Sequence, residues 1–360
     1  MAAFTRVRLC RKLDAMSTVL LFILALAGGQ LSLKAGPEIE TQANPLPVKV
    51  PHSADAILKL AFEMNGLDET SNIPWHIRLT YDHFDEDGDN DHSGTVEEFY
   101  AGPKKYKRTI TSDTLNQTDV ADGSRLYRSG DQNWPGGPAM KAVDAVLRPL
   151  QSAHVKSQSV RPEKTDIKFS NVKLPCVSLR ALDRRIMFPV QSVYCFNADS
   201  VMLRFTQGSY NTEARYDNLV PFHGRYVARD ISVTRSGKAF LKIHVEELGE
   251  IAEVGEAFFS RPEGAAPLGG RITIPSDVYF DYLISTAEPN YPPGTPDGST
   301  MVSFVVGKDG TVIEATADGG PEPLRKAACE AVGKYRFRPY LVLDQPVEVM
   351  AKTSLRFHSE

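Results

Sequence analysis

The chain carries no Gly-x-Ser-x-Gly elbow, no His-Glu-x-x-His pair and no phosphate-cradling glycine loop. The common hydrolytic and nucleotide-dependent chemistries therefore lack their usual sequence carriers. Its eight histidines are scattered, and no acid–base pair stands out, so the reading is non-enzymatic with no catalytic residue and no cofactor. A basic excess is also missing. Forty-one Lys and Arg stand against 45 Asp and Glu, for a net charge of −4, and no basic patch is present. That excludes nucleic acid as an expected partner. Cysteine is scarce, at four residues, and only one long apolar run exists, near the start.

That run follows a basic head of Arg6, Arg8, Arg11 and Lys12, and extends from Ser17 through Ala27. The pattern is a secretory signal with a small-x-small site at Ala25-Leu26-Ala27. The uncharged stretch continues to Leu33, so the alternatives are cleavage after Ala27 or an uncleaved anchor to about residue 33. Either way the bulk of the chain is exported, to the periplasm if the source is a bacterium with two membranes. Residues 28–51 are a Pro-containing linker. In an exported protein Cys176 and Cys195, which flank two probable strands, are expected to form a disulfide; the alternative is two small buried hydrophobes. Cys329 reads as a packed thiol, since no base accompanies it.

Residues 52–258 form a β-rich region. Ser53 caps a helix with Ile57, Leu60, Ala61 and Met64 on one face, stopped at Asn65-Gly66. From Trp75 the pattern switches to period 2: Trp75, Ile77, Leu79 and Tyr81 alternate with polar residues, as in a half-buried antiparallel strand. Further strands are expected over Thr95–Tyr100, Lys105–Thr111, Ile167–Phe169, Val177–Leu182, Gln191–Tyr194, Val201–Phe205, Arg225–Arg235 and Lys238–Glu246. A helix opens at Pro138 with Met140, Val143, Val146, Leu147 and Leu150 inward. The expected class is α+β, a large curved antiparallel sheet with helices packed on one side. Residues 259–284 are expected to be a linker.

The acidic stretch from Asp85 to Val96 offers Asp89, Asp91 and Ser93 at the first, third and fifth positions of a calcium loop. The twelfth position is Tyr100, where a bidentate Glu belongs, and a strand precedes the loop where a helix is needed. A solvated hairpin turn is the preferred reading, with weak Ca²⁺ binding as the alternative.

The last segment, residues 285–360, is the most specific. Val302, Phe304 and Val306 alternate into Lys308-Asp309-Gly310, a turn favoured between two strands because it tolerates positive φ. Val312 and Ile313 begin a second strand. Gly319-Gly320-Pro321 opens a helix carrying Leu324, Ala327, Ala328, Ala331 and Val332, and Tyr335 to Pro339 ends it. Val347 and Val349 begin a last strand, so the order is β-β-α-β. These residues, with Tyr291-Pro292, Gly298, Pro346-Val347 and Phe357, resemble the C-terminal domain of the TonB family, the periplasmic part of an energy transducer for outer-membrane transport. Tyr335 stands where that family usually has Trp. The resemblance implies a module that binds an envelope protein, such as a peptide of an outer-membrane transporter, along an exposed sheet edge. The candidate edge is the final strand, with Val347, Val349 and Phe357. Energy transduction itself fits less well, because the apolar run has no His to couple to a motor and the linker is short. More distantly, the opening helix, the aromatic meander from Trp75 to Tyr81 and the Tyr127…Trp134 approach to a helix resemble the LolA and LolB lipoprotein carriers. That implies an incomplete barrel over an apolar cavity for lipid, with Trp75, Phe99, Tyr106 and Trp134 as candidate lining. Those aromatics are otherwise ordinary core.

Overall fold

Alternation of apolar and polar residues dominates the chain, and the computed structural model turns it into two main sheets. It describes residues 48–67, 71–132, 137–150, 160–169, 172–181, 192–208, 211–251, 255–268, 270–274, 282–343 and 345–357. The signal-like run, Trp134 and the linker before residue 48 lie outside them.

The first arm of the large sheet is a meander of β1 (Trp75–Phe84), β2 (Asn90–Gly102), β3 (Lys105–Ser112), β4 (Asn116–Asp122) and β5 (Leu126–Gly130). The second runs through β6 (Val160–Phe169), β7 (Val172–Ala181), β8 (Ser192–Phe196), β9 (Leu203–Gly208), β10 (Thr212–Phe222), β11 (Arg225–Arg235) and β12 (Lys238–Glu250). The arms join where β1 pairs antiparallel with β12, Trp75 opposite Glu250 and Tyr81 opposite Ile243. A two-residue strand, β13 (Ala266–Pro267), adds to β5 at one end, and β6 closes the other. The thirteen strands form an open sheet whose ends do not pair. The protein is predominantly β, with few helices.

Helices α1 (Ala54–Met64) and α2 (Gly137–Leu147) share one apolar cluster with the sheet, built on Trp75, Ile77, Leu79, Tyr100, Leu203, Val227 and Val245. Ser53 caps α1 by accepting from the amide of Ala56 at 3.3 Å. Its most buried residues are Leu58 and Ala61, while the expected Ile57, Leu60 and Met64 sit half-buried at the rim. Asn65 ends the helix with its side chain bonded three times, to the carbonyls of Ala61 and Val201 and the amide of Leu203. Gly66 follows at φ +79, where a Cβ would meet the Leu147 carbonyl oxygen. The backbone of α2's last turn therefore requires glycine there.

Four strands of this sheet, β4, β5, β10 and β13, were not foreseen, because none shows clean alternation of large apolar residues. A further difference concerns the acidic turn. Strand β2 already begins at Asn90, so Asp91 and Ser93 belong to a ladder in which Ser93 pairs opposite Asp82 and His92 opposite His83. A calcium loop would need those residues in a continuous turn.

The C-terminal sheet contains β14 (Arg271–Thr273), β16 (Gly298–Val306), β17 (Val312–Asp318), β19 (Tyr340–Val342) and β20 (Gln345–Phe357). Its order is β14-β20-β16-β17, with β19 also pairing β20. A separate pair joins β15 (Leu283–Ser285) to β18 (Arg336–Phe337). Helix α3 (Glu322–Val332) buries Leu324, Ala327, Ala328, Ala331 and Val332, the five positions read from its sequence. They meet Val302, Phe304, Val306, Tyr335 and Phe337 in one core. At the hairpin Asp309 accepts from both the amide and the hydroxyl of Thr311, which holds its carboxyl below the usual range. Gly310, at φ +83, lies so close to Phe337 that a Cβ would overlap its carbonyl oxygen.

Candidate partner edge and covered face

Strand β20 alternates cleanly. Val347, Val349, Ala351, Leu355 and Phe357 turn into the C-terminal core, while Lys352, Ser354 and Arg356 face out. Val347, Val349 and Phe357 therefore support the strand from within, and only backbone groups and the alternate side chains can meet a partner. Phe357 packs near the ring of Tyr291, at 6.2 Å, and Tyr291 donates to the Thr295 carbonyl. The expected entry segment thus anchors the end of β20.

One long side of β20 is taken by β16, from Val306 opposite Val349 to Gly298 opposite Phe357. Registers with β14 and β16 overlap at Val349 and Met350, where the strand is inner. Tyr340–Val342 pairs with Gln345–Val347. Beyond it β14 pairs in parallel, Arg271 opposite Glu348, Ile272 opposite Val349 and Thr273 opposite Met350. The amide of Ile274 then donates to the Met350 carbonyl at 2.9 Å. Arg271 reaches across the outer face to Glu314 of β17, with two bonds at 2.9 and 2.7 Å, and to Glu348 at 3.3 Å. Hydrogen bonding to Glu314 raises the Arg271 pKa, and the reciprocal bond lowers that of Glu314. All three groups are solvated, so the cluster directs placement more than it adds stability.

Residues expected to be a plain linker thus contribute to both sheets. Ala265 is buried, Ala266–Pro267 pairs with Arg128 and Tyr127, and the amide of Leu268 donates to the Leu126 carbonyl at 2.6 Å. The Leu268 side chain packs against the C-terminal core. Just before this strap, Phe258 and Phe259 end a short 3-10 helix (Glu256–Phe259) against the large sheet, under Lys107 and Lys105 respectively. The Arg-Ile-Thr-Ile alternation was the available signal for β14, hidden between two glycines and a proline.

The three described candidates for the lining, Trp75, Phe99 and Tyr106, do not share one face, and Trp134 lies outside the described residues. Trp75 is 1% exposed and stacks on Tyr100 at 4.7 Å, on the helix-covered face. Tyr106 lies opposite Tyr100 on the same face and is half-buried. Phe99 is one residue out of phase and therefore points to the other face, stacked on His76 at 4.3 Å and edge-on to Phe258 at 5.0 Å. The pleat separates them.

A feature the sequence reading missed runs across β2 to β5. Glu98 lies opposite Arg108, Arg108 opposite Asp119, and Asp119 opposite Arg128. Arg108 donates to Glu98 at 2.6 Å, and Arg128 binds Asp119 through two bonds of 2.7 Å. Glu98, Asp119 and Arg128 are all buried. The signal was available as charges of alternating sign at apolar-phase positions in four successive strands. Their mutual neutralisation leaves no net charge to attract a ligand.

Asp89, Asp91 and Ser93 are not gathered around a point. Asp91 is bonded to His83 at 2.5 Å, which lowers its pKa, and Ser93 donates to Asp82 at 2.6 Å. Asp85 receives the amides of Asp87, Gly88 and Asp89, closing an ordinary turn. Among the described residues no group of three or more His, Cys, Asp or Glu side chains is arranged to hold a metal ion. Cys176 and Cys195 lie directly opposite on β7 and β8 and are joined, with an S–S distance of 2.04 Å. Cys329 is a free, half-buried thiol whose pKa burial pushes up. His223 and His244 each contact a carboxylate, Glu250 and Asp230.

No curated protein sequence matches this chain. Among solved structures, a LolA superfamily protein from Nitrosomonas europaea is 11% identical, covering 59% of this chain and 99% of its own, with a TM-score of 0.39. A putative outer membrane lipoprotein-sorting protein domain from Vibrio parahaemolyticus is 8% identical, over 57% of this chain and 96% of its own, at 0.36. A DUF1329 family protein from Desulfovibrio piger is 9% identical, over 57% and 97%, also at 0.36. Residues 295–358, the segment that contains β16, β17, α3 and β20, match the family described as Gram-negative bacterial TonB protein C-terminal.

Proposed function

We propose that this chain is a non-catalytic protein of the bacterial cell envelope whose C-terminal segment, residues 285–360, binds an extended segment of a partner envelope protein. The observation that carries the reading is the family match over residues 295–358, joined to a strand, β20, whose outer side accepts a parallel strand. Strand addition draws its affinity from backbone bonds and its selectivity from alternate side chains. Export is supported by the signal-like start of the sequence and by the Cys176–Cys195 bond, which suits an oxidising compartment. No helix among the described residues is long and apolar enough to cross a membrane. A photo-crosslinking amino acid at Lys352, exposed on β20, tests the reading in cells. Cross-links to one envelope protein from Lys352 and none from Lys326 on α3 are expected. Equal labelling from both positions, or none, overturns it.

The large sheet supports a second reading, a lipid or lipoprotein carrier with the C-terminal sheet as docking module. The observation in its favour is a broad sheet face closed over an apolar cluster by two helices of 11 residues each. Lipid would enter only if the helices lifted from that apolar cluster. Native mass spectrometry of protein purified from the periplasm is expected to show bound lipid on this reading, and uniformly empty protein sinks it.

A further inference from the structure

The strand that pairs with β20 at Glu348–Met350 comes from the chain itself. Its pattern reads out what that edge accepts. Arg271 and Thr273 face outward and Ile272 and Ile274 face the core, where they are 7% and 3% exposed beside Val349 and Ala351. On the outer face, Glu314 and Glu348 converge on the Arg271 guanidinium. The edge thus selects a basic residue followed by apolar residues one and three positions later.

The same strand is short and follows a glycine turn. It has three ladder positions, with one further bond from Ile274, whereas β20 itself is 13 residues long. Gly270, at φ +80, precedes it and follows another glycine in the sequence. Such a conformation is cheap only for glycine, so the turn permits release without breaking a preferred backbone geometry. A tethered strand also has an effective concentration of about a millimolar, which keeps the edge filled until a better strand arrives.

We propose that Arg271–Ile274 is a built-in occupant of the β20 edge, displaced by a partner protein's extended segment carrying the same basic-apolar-x-apolar pattern. The inference rests on the partner-binding reading above and specifies the site and sequence class of that partner. Release would also slacken the strap that holds Leu268 against Leu126, so that docking is felt at the β5 end of the large sheet.

The test uses a fluorescent peptide with the sequence of residues 268–276 and the full-length chain. Wild type should take it up weakly, because its own strand competes. Arg271→Glu, an exposed change that sets a carboxylate against Glu314 and Glu348, should bind at least several-fold tighter. Ile272→Ser/Ile274→Ser should gain tenfold or more, provided its circular dichroism matches wild type. A peptide carrying Glu in place of Arg271 should bind less well to every form. Equal uptake by wild type and Arg271→Glu overturns the proposal, as does dimerisation of the variants without peptide uptake, which would assign the edge to a second copy. Peptide uptake with failed cross-linking at Lys352 leaves the displaceable strand standing and overturns the envelope-partner reading alone. Cross-links without peptide uptake do the reverse.

Discussion

At Asp119 and Arg128 two opposite charges share a buried position in register, where neither has much access to water. Removing one partner of such a pair leaves the other charge uncompensated, at a cost of about 3–5 kcal/mol. Asp119→Ala should therefore lower the urea midpoint strongly, whereas Asp119→Leu/Arg128→Met, which removes both charges, should cost much less. Equal midpoints for the two variants would contradict this account. Tyr216 makes a pH prediction. Burial pushes its hydroxyl up to about 12, against an ordinary value of 10.0, with Thr206 opposing slightly. The folded state thus keeps a proton that the unfolded chain loses above pH 10. The stability from this group is complete below pH 10 and is lost as pH rises toward 12, by up to about 2.7 kcal/mol for two pKa units. Tyr216→Phe should flatten the alkaline limb of a stability–pH curve. Unfolding midpoints at pH 8, 10 and 11 would show it.

Strand elements rely on partners distant in sequence, and the local restraints on them are few and specific. The Cys176–Cys195 bond ties β7 to β8 across a separation of 19 residues. In the chain-entropy account such a closure contributes about 3 kcal/mol. Cys176→Ser/Cys195→Ser should lower stability by that order, and reductant should then have no further effect on the urea midpoint. The hairpin between β16 and β17 depends on Gly310. Its positive φ and the nearby Phe337 carbonyl mean that Gly310→Ala meets strain and overlap together, worth about 1–3 kcal/mol or more. That loss should appear as faster amide exchange in β16, β17 and β18, with α1 and β1 unchanged.

Across the whole molecule, residues 265–268 and 270–274 join two sheets that the sequence presents as separate domains. Leu268 does so most directly, with its amide on the large sheet and its side chain in the C-terminal core. Tyr340 gives a second link. Its pKa is raised by burial first, with Tyr282, Asp144 and Tyr106 adding and Arg148 opposing, so its hydroxyl senses the end of α2. Small interfaces of this kind couple domains only while their few contacts persist. Leu268→Ser should split calorimetric unfolding of the wild type into two transitions, the earlier one several degrees lower. A single unsplit transition in the variant would show that the sheets are coupled elsewhere.

Local order was readable where one residue pattern has one solution. Ser53 before an amphipathic run, Asp309-Gly310 between alternating strands, and Leu324 to Val332 at helical spacing each settle a neighbourhood by short-range sterics and burial. The C-terminal match grew from those same residues. Tertiary structure decided what depends on pairing between distant segments. Nothing in Glu98, Arg108, Asp119 or Arg128 individually announces a buried charged row, because each reads as solvent-facing until four strands are set in register. Phe99 and Trp75 look alike in sequence, and only the pleat places them on opposite faces. The edge expected of β20 had the same limit. Its alternation is written in residues 345–357, but whether an edge is occupied depends on another part of the chain. A four-residue segment between glycines and a proline supplies that occupant by folding back on it.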